Sequence, residues 1–190
     1  MARMGRRFAA HAGGQLMIRV VALLVLLSVA PAIAHGIPPD YVAAIKRSEG
    51  FSARAYWDVR QYSIGYGTRA RSPDEVIDEH EAERRFAAEM SAAAELVDSV
   101  NPRLDPGTRA ALASLTFNAG PSWATATLGD LIRDGRLKAA RQVFLQYVHA
   151  DGRQLSGLVA RRELEAGWFG QAPRAVRECR MPDGRIGLTR

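Results

Sequence analysis

Residues 45–68 read IKRSEGFSARAYWDVRQYSIGYGT, and this stretch decides the fold of the chain. Apolar residues such as Tyr41 and Ile45 recur at helical spacing before Glu49, and Gly50 is a natural end for such a helix. The residues after Gly50 are rich in aromatic and β-branched side chains around a central polar turn, which predicts a β-hairpin. The sequence therefore predicts a helix that ends at Glu49 and is followed at once by a hairpin.

Two carboxyl groups in this stretch are the candidate catalytic residues. Glu49 ends the predicted helix and Asp58 lies on the hairpin, so both can face one cleft from different elements. Such a pair supplies the acid and the base that cleavage of a glycosidic bond requires. Among the neighbouring aromatic residues, Glu49 is expected to titrate higher and to stay protonated as a general acid, whereas Asp58, nearer solvent, stays ionised as the base.

The pattern E-G-F-x4-Y-x-D-x4-S-I-G-Y-G-T resembles the catalytic segment of the phage-type lysozymes, glycoside hydrolase family 24. In that family a glutamate closes the first helix, an aspartate or cysteine follows nine residues later, and a threonine opens the next strand. Glu49 and Asp58 match in type and spacing, whereas Ser63 stands where the family usually has threonine. The turn between Asp58 and Ser63 is one residue shorter than the commonest form and lacks its usual glycine.

The resemblance implies an α+β, mostly helical, lysozyme-like fold, with a small β-hairpin lobe, a larger helical lobe and the active-site cleft between them. It also implies a muramidase that hydrolyses the β-1,4 bond between N-acetylmuramic acid and N-acetylglucosamine in peptidoglycan. In this mechanism Glu49 is the general acid, Asp58 and Ser63 place the attacking water, and the configuration of the sugar is inverted. No cofactor is expected.

Four further residues are candidates for substrate binding. Tyr56, Trp57 and Tyr66 supply apolar, sugar-stacking surface near the carboxyl groups. Asn118, followed by Ala119 and a glycine, reads as an ordinary helix end. It also matches the S-F-x-F-N-x-G helix end that lies beneath the cleft in the family.

The run Gly157-Leu158-Val159-x-Arg161-Arg162-x-x-Glu165 resembles the G-L-x-x-R-R-x-x-E segment of the family's C-terminal lobe. The resemblance implies that Arg161 or Arg162 helps to hold the helix of the acid. A surface pair between Arg161 and Glu165, four residues apart on one helix, is the alternative. The sequence leaves both interpretations open.

Two other functions compete with hydrolysis. A lytic transglycosylase needs only the glutamate and closes the sugar on itself, and the presence of Asp58 and Ser63 argues against it. A non-catalytic peptidoglycan-binding protein on a lysozyme scaffold would be expected to have lost Glu49 or Asp58, and the chain keeps both.

The net charge of +6 belongs to the two ends of the chain. Residues 1–34 hold four arginines and no acid, and residues 171–190 hold five arginines against two acids. Residues 35–170, the predicted catalytic domain, carry 17 basic and 18 acidic residues and are therefore at −1. Because a nucleic-acid-binding protein carries its positive charge on the folded body, this class is disfavoured.

Residues 1–34 read as a secretory signal with a basic start, the apolar core VVALLVLLSVAP and the small-x-small site Ala32-Ile33-Ala34. The uncharged run of fifteen residues from Val20 contains a proline and is shorter than the roughly 20 residues that span a bilayer. A signal anchor, with transient membrane association through residues 17–34, is the other alternative. We expect an exported, periplasmic or extracellular monomer that acts on peptidoglycan glycan strands.

Outside the deciding stretch, the pattern predicts a long helix capped by Asp78 with one buried apolar stripe. Further helices are predicted over about 108–117, 125–132 and 137–148. Residues 171–190 lack periodicity and predict a loosely ordered basic tail. This tail holds Cys179, the only cysteine, so no intrachain disulfide can form.

Overall fold

The computed structural model describes residues 36–58, 61–150 and 152–171, together with the backbone of two strands at 177–180 and 186–189. The predicted signal in residues 1–34 lies outside the described residues. The helices of the described part are α1 (Pro39–Glu49), α2 (Glu79–Val100), α3 (Pro106–Ala119), a 3-10 helix (Pro121–Thr125), α4 (Thr127–Arg133), α5 (Leu137–Phe144) and α6 (Ser156–Ala166). None of these helices is both long enough and apolar enough to cross a bilayer.

The first small lobe is a three-stranded antiparallel sheet of β1 (Ser52–Asp58), β2 (Gln61–Gly65) and β3 (Thr68–Arg69) in that spatial order. In the register of β1 and β2, Tyr56 lies opposite Ser63, Trp57 opposite Tyr62, and Asp58 opposite Gln61. Because side chains alternate along a strand and directly opposed residues share a face, Tyr56, Asp58, Gln61 and Ser63 point to the same side. Trp57 and Tyr62 point to the other side.

Local signals determine where the elements on either side of this sheet begin and end. α1 ends at Glu49, and the N–H of Gly50, which has φ +72°, donates to the carbonyl of Lys46 at 3.0 Å. α2 begins after Asp78, whose carboxylate accepts the N–H of Glu81 at 2.8 Å. The predicted helix, hairpin and Asp78 cap are all confirmed.

The helical lobe packs α3 against α2 and around Trp123, whose Nε1 donates to Thr116 Oγ1 at 2.8 Å. Trp168 is buried and its ring lies 5.0 Å from that of Tyr41, so the segment after α6 covers α1. Phe169 packs in the same way on Phe144, at 5.1 Å between ring centroids. α1 and α6 both pack on α3. This packing brings the C-terminal end of α1 and one side of α6 to the same cleft.

One helix ends earlier than predicted. α5 ends at Phe144 and not at 148, because the chain must turn into the short antiparallel pair β4 (His149–Ala150) and β5 (Arg153–Gln154) that precedes α6. In the tail, β6 (Arg177–Arg180) pairs antiparallel with β7 (Ile186–Thr189). The loosely ordered character of residues 171–190 as a whole stays a prediction.

Candidate active site

One cleft of about 670 Å³ lies between the hairpin and α6. Its first wall carries Glu49 at the end of α1 and Tyr56 and Asp58 on β1, and Asn118 at the end of α3 forms part of its surface. The opposite wall is the start of α6 with the residue before it, namely Leu155, Ser156, Gly157, Leu158, Ala160, Arg161 and Leu164. Four of the seven predicted site residues therefore line this cleft, namely Glu49, Tyr56, Asp58 and Asn118.

Glu49 is the buried carboxyl of this cleft. Its side chain is 13% exposed, and Oε1 lies 2.6 Å from Nη2 of Arg161. Oε1 accepts no well-directed hydrogen bond from the described residues, so its contact with Arg161 is a salt bridge without hydrogen-bond geometry. Burial is the largest single influence and raises the pKa of Glu49, Arg161 opposes it, and the pKa remains above its usual value. The net effect favours the protonated form, as a general acid requires.

Gly67 lies behind the second oxygen of this carboxyl. A Cβ at Gly67 would lie 3.1 Å from Oε2 of Glu49, closer than side chains ordinarily approach. The backbone there has φ +84°, a conformation that glycine adopts without the steric cost of a Cβ. The absence of a side chain at Gly67 thus leaves room for the Glu49 carboxyl between the sheet and α6.

Asp58 has a different environment from Glu49. It is exposed at the end of β1, and its cross-strand neighbour on the same sheet face is Gln61. One cleft therefore holds a buried carboxyl and an exposed one, and such a contrast separates an acid from a base.

The charge beside Glu49 is part of a buried network on α6 and α3. Arg161 Nε donates to Oε1 of Glu165 at 2.9 Å, and Arg161 Nη2 donates to Oγ of Ser114 at 2.9 Å. Ser114 Oγ in turn donates to Glu165. Arg161 is therefore the arginine that contacts Glu49, and it also pairs with Glu165 four residues on. That second pair is buried and not on the surface.

The adjacent Arg162 completes this network without touching Glu49. It donates to the other carboxylate oxygen of Glu165 and to Oδ1 of Asn118, and its Nε donates to the carbonyl of Tyr147 at 3.2 Å. Asn118 therefore both lines the cleft and accepts a hydrogen bond from a fully buried arginine.

Ser63 shares a sheet face with Tyr56 and Asp58 but does not line the cleft. It is fully buried on β2, and its hydroxyl accepts a long hydrogen bond from Nε2 of Gln61 at 3.5 Å. In the strand register it lies directly opposite Tyr56, whose side chain does line the cleft. A role for Ser63 with the attacking water stays a prediction.

Trp57 and Tyr66 lie away from the cleft lining. Trp57 is 61% exposed on the opposite sheet face, where it makes an edge-on contact with Tyr62 at 5.2 Å between centroids. Tyr66 is buried, and its hydroxyl donates to Glu79 and Glu83 of α2 at 3.2 Å each. Substrate contacts by these two residues stay predictions that the cleft geometry does not support.

Sequence patterns do not indicate two features of the cleft. The far wall presents Leu155 and Leu164, 44% and 51% exposed, across from Tyr56. The link from Ser114 to Glu165 joins residues 51 positions apart in the chain, which no local spacing can reveal. The arginine–glutamate spacing in α6 was the only signal that pointed towards this network.

The model of the phage lysozyme family matches residues 46–165, and the chain belongs to that family of peptidoglycan-cleaving lysozymes. No curated protein sequence matches the chain.

Solved structures share the fold. The muramidase domain of SpmX from Asticaccaulis excentricus is similar with a TM-score of 0.64 and 24% identity, over 71% of this chain and 97% of that one. The active form of P1 phage endolysin Lyz has a TM-score of 0.65 and 16% identity, over 70% and 84%. An endolysin from the Escherichia coli phage FAHEc1 has a TM-score of 0.61 and 23% identity, over 73% and 96%. At these identities the likeness establishes the lysozyme-like fold.

Proposed function

We propose that the protein is a muramidase that hydrolyses the β-1,4 bond between N-acetylmuramic acid and N-acetylglucosamine. The observation that carries this proposal is the pairing of buried Glu49 with exposed Asp58 in one cleft. Tyr56 on one wall and the leucines on the other provide flat and aliphatic surface against which sugar rings can pack.

In the proposed reaction Glu49 donates its proton to the oxygen of the leaving sugar as the glycosidic bond breaks. A water held by Asp58 attacks the anomeric carbon from the opposite face and transfers a proton to that carboxylate, which inverts the configuration. Arg161 holds the Glu49 side chain in place and stabilises the carboxylate that forms when the proton leaves. We assign the water to Asp58 first and to the neighbouring Ser63 second, because Asp58 lies in the cleft itself.

The test is product analysis on purified peptidoglycan with the wild-type protein and with Glu49→Gln. A Gln side chain keeps the shape of Glu49 but has no proton to donate, so the rate should fall by roughly 10²-fold or more. The products should be reducing-end muropeptides whose newly formed anomer, followed by NMR, is opposite in configuration to the β-linked substrate. Anhydro products would instead identify a lytic transglycosylase, and undiminished cleavage by Glu49→Gln would overturn the assignment of the acid.

We also propose that residues 1–34 direct export, because a peptidoglycan-cleaving enzyme must reach the cell wall. Cleavage after Ala34 would produce a mature chain that starts at His35. N-terminal sequencing of the periplasmic protein checks this, and recovery of the intact chain in the cytoplasm would contradict it. Recovery of the intact chain from the membrane fraction would identify the signal-anchor alternative.

A further inference from the structure

Arg161 is shared between two carboxylates from different helices. Its Nη2 faces Glu49 at the end of α1 at 2.6 Å, while its Nε donates to Glu165 at 2.9 Å. Both Arg161 and Glu165 are buried, at 8% and 1% exposure, so solvent screens neither contact effectively. Ser114 on α3 bonds to both and fixes their mutual geometry.

We propose that Glu165 is a positioning residue that holds Arg161 in place and limits its attraction for Glu49, so that Glu49 can keep its proton until the substrate takes it. This inference rests on the proposed role of Glu49 as the general acid. Glu165 acts through Arg161, since its own carboxylate is directed to Ser114, Arg161 and Arg162.

Arg161 needs an anionic partner throughout a catalytic cycle. Glu49 must alternate between a protonated and an ionised form, and in the protonated form it no longer offers a full negative charge. A buried guanidinium without an anionic partner is strongly disfavoured. Glu165 supplies that partner in both states, so protonation of Glu49 does not leave Arg161 uncompensated.

Glu165 also changes the balance of charge at Glu49. Among the described residues, the charged or titratable groups that interact with Glu49 are Arg161, Arg162 and Glu165 of α6, Tyr56 of the hairpin and Glu89 of α2. Asp58 of the hairpin lines the same cleft. Burial raises the pKa of Glu49, Arg161 lowers it, and the negative charge of Glu165 raises it again. Without Glu165, the undivided charge of Arg161 would favour the ionised form of Glu49.

The test is the pH profile of kcat/KM on purified peptidoglycan for the full-length protein and for Glu165→Gln. Because the acid must be protonated, the basic limb of the profile reports the ionisation of Glu49. We expect this limb to move to lower pH in Glu165→Gln, so that the loss of activity grows as the pH rises. Glu163→Gln, an exposed change on the same helix, is the matched control and should leave the limb in place.

A direct measurement separates this effect from structural damage. The Glu49 carboxyl can be titrated by carbon NMR, with Glu49→Gln used to assign its signal, and its pKa should be lower in Glu165→Gln than in the wild type. Glu165→Asp keeps the negative charge and should restore the wild-type position of the basic limb, even if its maximum rate is lower.

Loss of the charge of Glu165 also leaves Arg162 without its carboxylate, so Glu165→Gln can fail to fold. The double variant Arg162→Gln/Glu165→Gln removes one charge of each sign and keeps Arg161 beside Glu49. In it the basic limb should move in the same direction by a smaller amount, because Glu165 affects Glu49 more than Arg162 does.

An unmoved or upward-moved limb in either folded variant would overturn the inference. If Glu49→Gln retained full activity, the acid assignment itself would fail, which is a separate result.

Discussion

Nη2 of Arg161 and Oε1 of Glu49 lie 2.6 Å apart, and this contact joins the last residue of α1 to the middle of α6. The two helices form opposite sides of the cleft, so the ion pair holds the candidate acid at a fixed depth between them. A cation at this distance also opposes the effect of burial on the carboxyl. The pair therefore influences both the position and the protonation of Glu49.

The first prediction concerns Arg161→Gln. This change removes the cation that lowers the pKa of Glu49, so the pKa should rise further and the basic limb of the pH–activity profile should move to higher pH. The maximum rate should fall by about 10-fold or more, because the carboxyl loses the group that orients it. A profile that keeps its shape while the rate falls would contradict the electrostatic part of this interpretation.

The second prediction concerns the stability of Glu49→Gln. Because the pKa of Glu49 is raised above its usual value of 4.5, the folded protein binds this proton more tightly than the unfolded chain does. The stabilisation that results is fully present below pH 4.5, the usual pKa of this carboxyl, and is lost as the pH rises through the pKa of the folded protein. At neutral pH the ionised carboxylate therefore weakens the fold, and the neutral glutamine should unfold at a higher temperature than the wild type.

Thermal unfolding of both proteins across the pH range checks this prediction. The difference in Tm should shrink as the pH falls below the usual carboxyl pKa, where Glu49 is protonated in both the folded and the unfolded chain. Glu163→Gln, on the exposed side of α6, is the control for loss of a surface charge. An equal or lower Tm for Glu49→Gln at neutral pH would show that the ion pair with Arg161 outweighs burial.

The third prediction concerns Gly67, which leaves the space that Oε2 of Glu49 occupies. Gly67→Ala would introduce a Cβ 3.1 Å from that oxygen and would also place alanine at φ +84°. The strained backbone should cost about 1–2 kcal/mol of stability. A displaced carboxyl should lower activity by roughly 10²-fold, the cost expected for misplacement by about 1 Å.

Gly135→Ala separates these two effects. Gly135 has a similar φ of +68°, but a Cβ there would meet nothing within 4 Å. It lies between α4 and α5 and does not line the cleft. This variant should lose comparable stability and keep its activity. Equal activity loss in both variants would mean that strain, and not contact with Glu49, is responsible.

The sequence predicted the elements that depend on neighbouring residues. Gly50 ends α1 and Asp78 caps α2 through contacts within four residues, so the pattern alone indicates them. The same locality explains why Glu49 and Asp58 could be paired in advance: one ends a helix and the other lies on the hairpin that follows directly.

The features that the sequence does not specify depend on orientation or on distant partners. The residue type of Trp57 predicts substrate contact, and that contact stays a prediction. Trp57 lies between Tyr56 and Asp58 on a strand, and alternation along the strand turns its side chain to the other face. Ser63 lies on the correct face, but its burial depends on packing that the strand pattern does not specify. The hydrogen bond from Ser114 to Glu165 forms only when α3 and α6 are packed together. No single segment of the sequence can therefore predict it.

The last prediction concerns Ser63, the residue at which the chain departs from the usual threonine of the family. If its hydroxyl helps to hold the attacking water, Ser63→Ala should lower kcat by roughly 10²-fold on purified peptidoglycan. Ser63→Thr keeps the hydroxyl and should retain activity. Because Ser63 is fully buried, the added methyl should cost about 1 kcal/mol or more of stability.

The alternative is that Ser63 has a structural role only, in which its hydroxyl accepts a hydrogen bond from the side-chain amide of Gln61. Thr68→Val is the matched control, since Thr68 is also buried in this sheet and its hydroxyl donates to the carbonyl of Ile64 at 3.1 Å. That variant should lose stability without a large change in kcat. If Ser63→Ala behaves like it and stays within a few-fold of the wild-type rate, Asp58 holds the water alone and Ser63 supports the strand. A loss of kcat confined to Ser63→Ala, at unchanged KM, would place its hydroxyl among the groups that act in the transition state.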